Sequence, residues 1–299
     1  MRNKKQQVST TASKALRPLL LAAVLFFSVA TQAQRDDFIG RSELLLSAGG
    51  MNYIGDLNNQ SVFGQPHTAA SAGLRCRLDN RWALRIEAAG GLLESGDYIE
   101  RRNLSFRSNL YEVSALAEFN FWNYGYGNTD KSFVFYLYSG VTAFHFNPMA
   151  HYVLADGTES WAALQPLHTE GQGSVEYPDR RPYPLTEVAM PLGVGFKSRI
   201  GKSLSFSIEY GFRMTLTDYI DDVSTTYVGS DLLIGNCADG ELAAQLADRS
   251  SEVVPGYVNA PGIKRGDDSL NDMYAYLHIS LGLKLETILG WTRSKRCKL

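Results

Sequence analysis

The stretch Ser203–Thr217, SLSFSIEYGFRMTLT, decides the fold. Every second residue from Leu204 to Leu216 is large and apolar: Leu204, Phe206, Ile208, Tyr210, Phe212, Met214 and Leu216. The residues between them, Ser205, Ser207, Glu209, Gly211, Arg213 and Thr215, are small or polar. A period of two is that of a β-strand with one oily and one wet face. The run is long enough for a tilted membrane-crossing strand, which needs roughly 9–11 residues, whereas strands of soluble sandwiches end after ~5–6. An edge strand of a large soluble sheet is the competing reading.

The pattern recurs along the chain. Arg41–Asn52 sets Leu44, Leu46 and Ala48 against Glu43, Leu45, Ser47 and Gly49. Ala70–Leu78 alternates Ala70, Ala72, Leu74 and Cys76 with Ser71, Gly73, Arg75 and Arg77. Asp79-Asn80 then turns it into Trp82, Leu84, Ile86 and Ala88, opposite Arg85 and Glu87. Asn109–Phe121 places Tyr111, Val113, Ala115, Ala117 and Phe119 on one face and Glu112, Ser114 and Glu118 on the other. Ser132–Phe146 is aromatic on both faces; Phe135, Leu137, Val141 and Ala143 are read as outward. Thr186–Lys197 opposes Val188, Met190, Leu192, Val194 and Phe196 to Glu187, Gly193, Gly195 and Lys197. The final strand opposes Leu277, Ile279, Leu281 and Leu283 to Tyr274, Tyr276, His278 and Ser280.

About eight strands result, joined by alternating long and short connections. Glu94–Arg107 reads as a charged loop, Asn147–Pro184 and Asp218–Asn271 as long polar insertions, and Asn123–Lys131 and Ile200–Lys202 as turns. Long outer loops, short inner turns and an even strand number describe an eight-stranded antiparallel transmembrane β-barrel, all-β, with two long extracellular loops. A lipocalin-like barrel would turn its large side chains inward. Here a charge facing lipid would cost about 2–4 kcal/mol at mid-membrane. The expected interior is therefore a packed charge network of Arg75, Arg85, Glu87, Glu112, Glu118, Lys197, Glu209 and Arg213, with no solute channel. His278 reads as a satisfied interior residue. Trp82, Phe121 and Trp122 fit an interfacial aromatic belt near the short turns, with Tyr210 and Phe212 further in.

The 299 residues carry a net charge of −2, which does not suggest nucleic acid as a partner. Basic residues Arg2, Lys4, Lys5, Lys14 and Arg17 precede an apolar run, Leu19–Ala30, and then Thr31-Gln32-Ala33. This is the layout of a secretory signal over residues 1–33, cleaved near Ala33, ahead of a barrel at 34–288 and a basic periplasmic tail at 289–299. A retained N-terminal membrane helix is the alternative. Three cysteines, Cys76, Cys237 and Cys297, leave at least one without an intramolecular partner.

Motifs for hydrolases, zinc sites, nucleotide loops and dithiol redox centres are absent. Asp221-Asp222 with Ser224, and His151 and His168 near Glu170, could form a loop site. Isolated polar residues in long loops are more often solvated or turn-forming, and the acids lack calcium-loop spacing. No enzyme, metal, cofactor or small-molecule substrate is expected.

The segments NYIGDL (52–57), RNLSFRSNLYEVSALAEFNF (102–121), FNP (146–148), LQPLHTEGQG (164–173) and TDYIDDVSTTYV (217–228) resemble the PorG-type outer-membrane barrel proteins of Bacteroidota. The resemblance covers nearly the whole mature chain and implies a cell outer-membrane component of type IX protein secretion. Its implied partners are outer-membrane lipids and a periplasmic ring formed by a lipoprotein and its companion. Paralogues of unknown role share the pattern. The insertion Gly229–Asn271 with Cys237, and the tail with Cys297, depart from it. With the C-terminus in the periplasm, Arg293, Lys295 and Arg296 could steer a periplasmic partner to Cys297. The competing reading of the tail is an unused thiol. A small structural or adhesive barrel that binds extracellular ligands through its loops is the alternative function.

Overall fold

The computed structural model describes residues 38–58, 66–97, 99, 101–124, 131–154 and 156–290. In chain order the strands are β1 (Ser42–Ile54), β2 (His67–Arg77), β3 (Trp82–Gly96), β4 (Ser105–Asn120), β5 (Phe133–His145), β6 (Met149–Val153), β7 (Glu159–Ala163), β8 (Thr186–Ile200), β9 (Leu204–Thr215) and β10 (Met273–Lys284). Among the described residues, besides a helical turn at 38–41, the helices are α1 (Ser230–Asn236), α2 (Gly240–Ala247) and α3 (Leu285–Ile288). Neighbours in the ring β1-β2-β3-β4-β5-β8-β9-β10 pair antiparallel. The last strand returns to the first from Glu43↔Lys284 to Ile54↔Met273 and closes an eight-stranded barrel. No helix among the described residues is long and apolar enough to cross a membrane.

Side-chain alternation gives the wall its two chemistries. On β9, Leu204 and Ile208 face outward and are exposed, while Ser205, Ser207, Glu209 and Arg213 are buried inside. Leu46, Ile86, Val113, Val141, Val194 and Ile279 extend the exposed apolar belt around the ring. On β5, where the sequence was aromatic on both faces, Phe135, Leu137 and Val141 point out and Tyr136 and Tyr138 point in. Glycines on the next strand make this possible. A Cβ at Gly195 would lie 2.4 Å from Tyr136 Cζ, and one at Gly193 would lie 2.3 Å from Tyr138 Cζ. The phenol rings lie over bare backbone there.

Three expectations need correction. Glu94–Arg107 is a loop only between the strands, over 97–104: β3 runs to Gly96, β4 starts at Ser105, and Glu94 sits opposite Arg107 in the ladder. Above the apolar belt an outward charge costs little, so a strand can continue without an oily row. The interior is also less polar than alternation implied. Toward the long-loop end Met51, Tyr53, Leu93, Phe106, Leu110 and Phe144 fill it. Finally, the two long insertions are folded. Asn147–Pro184 contains the β6–β7 hairpin, joined to β4 at Arg107↔Met149, and Asp218–Asn271 contains α1 and α2. Leu164, Leu167 and Tyr183 from the first meet Ile220, Val223, Leu233 and Leu246 from the second, in one core with the upper barrel. Tyr183 stacks between Phe146 and Tyr219, at 6.3 and 4.8 Å between ring centres. The barrel mouth is thus covered by a packed cap.

Candidate functional site

Strand alternation delivers all eight interior charges singled out in the sequence to the buried interior, six of them in one network and Arg213 with Glu112 in a pair beside it. Arg85 forms a two-pronged bridge to Glu209, at 2.5 and 2.6 Å. Its Nε lies 3.4 Å from Glu87 and its Nη1 lies 3.3 Å from Glu118. Glu118 also accepts from Arg75 Nε at 2.9 Å and Lys197 Nζ at 2.7 Å. The Tyr136 hydroxyl donates to Glu209. One step closer to the loops, Arg213 meets Glu112 at 2.8 Å and Tyr274 donates to the same carboxylate at 2.6 Å. Each of these charged groups is fully or nearly fully buried. Such charges survive desolvation only in mutual contact, so the network fixes how the eight strands sit around their common axis.

Glu43, which alternation placed inward without a stated role, belongs to the same network. It lies 3.5 Å from Arg75 and accepts from Ser205 at 3.2 Å. His278 differs from expectation. It is buried and lies 4.2 Å from the Tyr276 ring, with Nε2 3.5 Å from Glu209, so it is held by packing and charge proximity and not by a hydrogen bond.

The acids and the serine among the loop residues weighed for chemistry form a second cluster, inside the cap. Glu170, Asp221, Asp222 and Ser224 are buried, which corrects the solvated half of the expectation, while the turn-forming half holds for Asp221, whose carboxylate accepts from the Val223 amide at 2.9 Å. Arg265 is the group that permits this. Its Nη1 lies 3.0 Å from Glu170 and donates to the Asp222 carbonyl at 2.6 Å, while its Nε donates to Ala247 at 3.1 Å. Glu170 further accepts from the Ser224 and Thr225 amides at 3.0 Å. Asp222 accepts from Tyr183 at 2.6 Å and from Thr169. It also adopts the left-handed conformation, at φ 68°, which Asp tolerates better than most residues. These bonds tie one insertion to the other.

Tyr53 ties the cap to the barrel. Its hydroxyl lies 2.6 Å from both Asp221 and Asp272. With one proton it donates to one carboxylate and accepts from the other, which must itself be protonated. Burial raises both acids, and the charge of Asp221 pushes Asp272 up further. Burial also lifts Asp218 to about 7 and Asp222 to about 6, the latter opposed by Arg265.

His151 is not part of this cluster and pairs with Glu159 on the hairpin. Ser224 engages Glu170 through its backbone amide. The cluster therefore consists of acids neutralised by one arginine and by backbone donors. That arrangement is suited to holding loops together. Arg265 lies outside the segments quoted above, and the only sequence signal for it was the surplus of acids that needed a base.

Among the described residues no three His, Cys, Asp or Glu side chains are grouped to hold a metal ion. Cys76 and Cys237 are free thiols, and Cys237 lies 3.2 Å from the Leu167 carbonyl. Arg293, Lys295, Arg296 and Cys297 lie outside the described residues, as does the signal segment 1–33. At the loop end a cavity of about 890 Å³ opens between Asp56, Arg101, Tyr227, Tyr257, Lys264 and Leu270.

Residues 17–166 match the family described as a domain of unknown function, DUF6089. The chain belongs to that family. The matched residues contain β1 to β7, hence five of this DUF6089 barrel's eight wall strands and the β6–β7 hairpin of its cap. No curated protein sequence matches. Among solved structures, the chain is similar to the Neisserial surface protein NspA, at 10% identity and a TM-score of 0.39, covering 81% of this chain and 96% of that one. It is also similar to Ail, the attachment invasion locus protein of Yersinia pestis (8% identity, TM-score 0.36, 81% and 96% covered). A third similarity is to the outer membrane protein OprG of Pseudomonas aeruginosa (9%, 0.36, 82% and 96%). The eight-stranded fold rests on the closed ladder of the chain itself.

Proposed function

We propose that this outer-membrane-type barrel is a non-enzymatic component of the type IX protein secretion machinery, which anchors or positions a periplasmic ring complex. The observation that supports this reading most is where the resemblance segments fall. Tyr53, Asp56, Arg102, Glu170, Asp221 and Asp222 all belong to them, and they serve as cross-braces of the cap. A filled interior and a braced cap suit a rigid anchor better than a channel or an active site. Both described chain ends lie at the short-turn end, which becomes the periplasmic side if the long loops face outward. In this reading the signal is removed near Ala33, and the 289–299 tail, through Arg293, Lys295, Arg296 and Cys297, faces the ring.

Deletion of the gene should stop export of many secreted cargo proteins at once, and the ring lipoprotein and its companion should co-purify with the barrel from detergent extracts. Normal export in the deletion strain would sink the assignment. Non-reducing gels of wild type and Cys297→Ser test the covalent form of tail docking; identical migration removes it.

The alternative, a small barrel that binds an extracellular ligand, is favoured by one feature, the cavity beside Tyr227 and Tyr257. It predicts unchanged export and altered surface binding.

A further inference from the structure

The two ends of the barrel carry opposite charge. At the long-loop end, Asp156, Glu176, Asp179, Asp231, Asp239 and Glu241 are exposed acids, and few exposed bases accompany them. At the short-turn end, among the described residues, the exposed bases Arg41, Arg81, Lys131 and Lys202 outnumber the exposed acid Asp79, while Lys284 pairs with Glu286 at 3.3 Å. The Asp79 carboxylate is occupied in its own turn, accepting from the Arg81 and Trp82 amides at 2.6 and 2.7 Å.

The basic residues are spread around the rim. Each of the three short connections holds one: Arg81 between β2 and β3, Lys131 between β4 and β5, and Lys202 between β8 and β9. Two of them touch the aromatic belt. Lys131 Nζ lies 4.8 Å over the Trp122 ring, and the Arg81 guanidinium lies 6.0 Å from Phe119. The belt is continuous there, with Trp82 on Phe119, Phe119 beside Phe121, and Trp122 on Phe133 and Phe135. Rings of this kind settle at the boundary between acyl chains and headgroups. Cations placed against them lie at the depth of the lipid phosphates.

We infer that this basic, aromatic rim binds anionic glycerophospholipid headgroups of the leaflet that surrounds the short turns. The spread of charge around the circumference, joined to the lipid-facing belt, fits a ring of lipids better than one protein docking patch. The inference is independent of the secretion reading. It assigns the rim a lipid class whether or not a periplasmic ring binds the tail.

The test uses the full chain folded into phosphatidylcholine bilayers doped with brominated phosphatidylglycerol or brominated phosphatidylcholine. The tryptophans are Trp82, Trp122, Trp161 and Trp291, and Trp161→Phe with Trp291→Phe leaves the two rim reporters. Quenching at low salt should show a preference for phosphatidylglycerol of at least about fivefold, the factor that roughly one surface cation supplies. It should shrink as salt is added. Arg81→Gln/Lys131→Gln/Lys202→Gln should bring the preference close to one, while Arg101→Gln/Arg181→Gln at the other end should leave it unchanged. Heat-modifiable gel mobility verifies that each variant is folded; if the triple variant fails this check, the same measurement on each single variant replaces it. Equal quenching by the two lipids, or a preference that survives the rim substitutions, overturns the inference. Equal quenching together with salt-sensitive binding of poly-glutamate would assign the rim to an acidic protein partner instead.

Discussion

Glu209 is, with Glu118, one of the two carboxylates at the centre of the interior network. It takes both prongs of Arg85, the Tyr136 hydroxyl and the proximity of His278, all away from water. Glu209→Gln would leave Arg85 without its main counter-charge, and breaking a buried pair from one side costs about 3–5 kcal/mol. The urea midpoint of the barrel in detergent micelles should fall accordingly. Arg85→Met/Glu209→Leu, which removes both charges, should fall less; an equal loss would show that packing and not charge dominates there. Gly195 makes the complementary test. A leucine side chain at that position meets Tyr136, and overpacking of this kind costs about 1–3 kcal/mol. Gly195→Leu/Tyr136→Ala should recover part of the loss in the same titration.

Among the elements, the cap responds most to pH. Asp222 and Asp218 have folded-state pKa values raised to about 6 and about 7 by burial, so the folded cap holds protons that the unfolded chain has released. The stability these two acids contribute then falls as pH rises from the ordinary carboxylate range, about 4, to about 7. Trypsin cleavage after Arg180 and Lys264 in the intact barrel should therefore quicken across that window, after correction for the intrinsic pH dependence of trypsin. A flat or opposite trend would contradict the assignment.

The cap is also where the sequence was least legible. The wall could be read because one side of every strand must satisfy lipid, a rule that acts position by position. Glu94 and Arg107 escaped it because they stand above the belt, where polar residues lie on strands and loops alike. The burial of Glu170 and Asp222 depends on Arg265, 95 and 43 residues away in the chain, and such a long-range match leaves no local pattern. Tyr136 and Tyr138 were ambiguous for a related reason, since the glycines that accommodate them sit on β8, across the β5–β8 insertion.

At the level of the whole molecule, membrane orientation follows from the contrast between wall and interior. Val194 is exposed on the belt, and Val194→Arg should cost about 2–4 kcal/mol in refolding titrations into lipid vesicles, if it lies near mid-depth. The same substitution should have little effect on the protein held in urea. One consequence of the closing ladder concerns biogenesis. The edge of β1 finds its mate only when residues 273–284 have been delivered, more than two hundred positions later. Until then its amides and carbonyls have no place in a hydrocarbon phase. Insertion must therefore wait for the end of translocation, and a truncation just before Met273 should leave a chaperone-bound, protease-sensitive intermediate and not a shorter membrane protein.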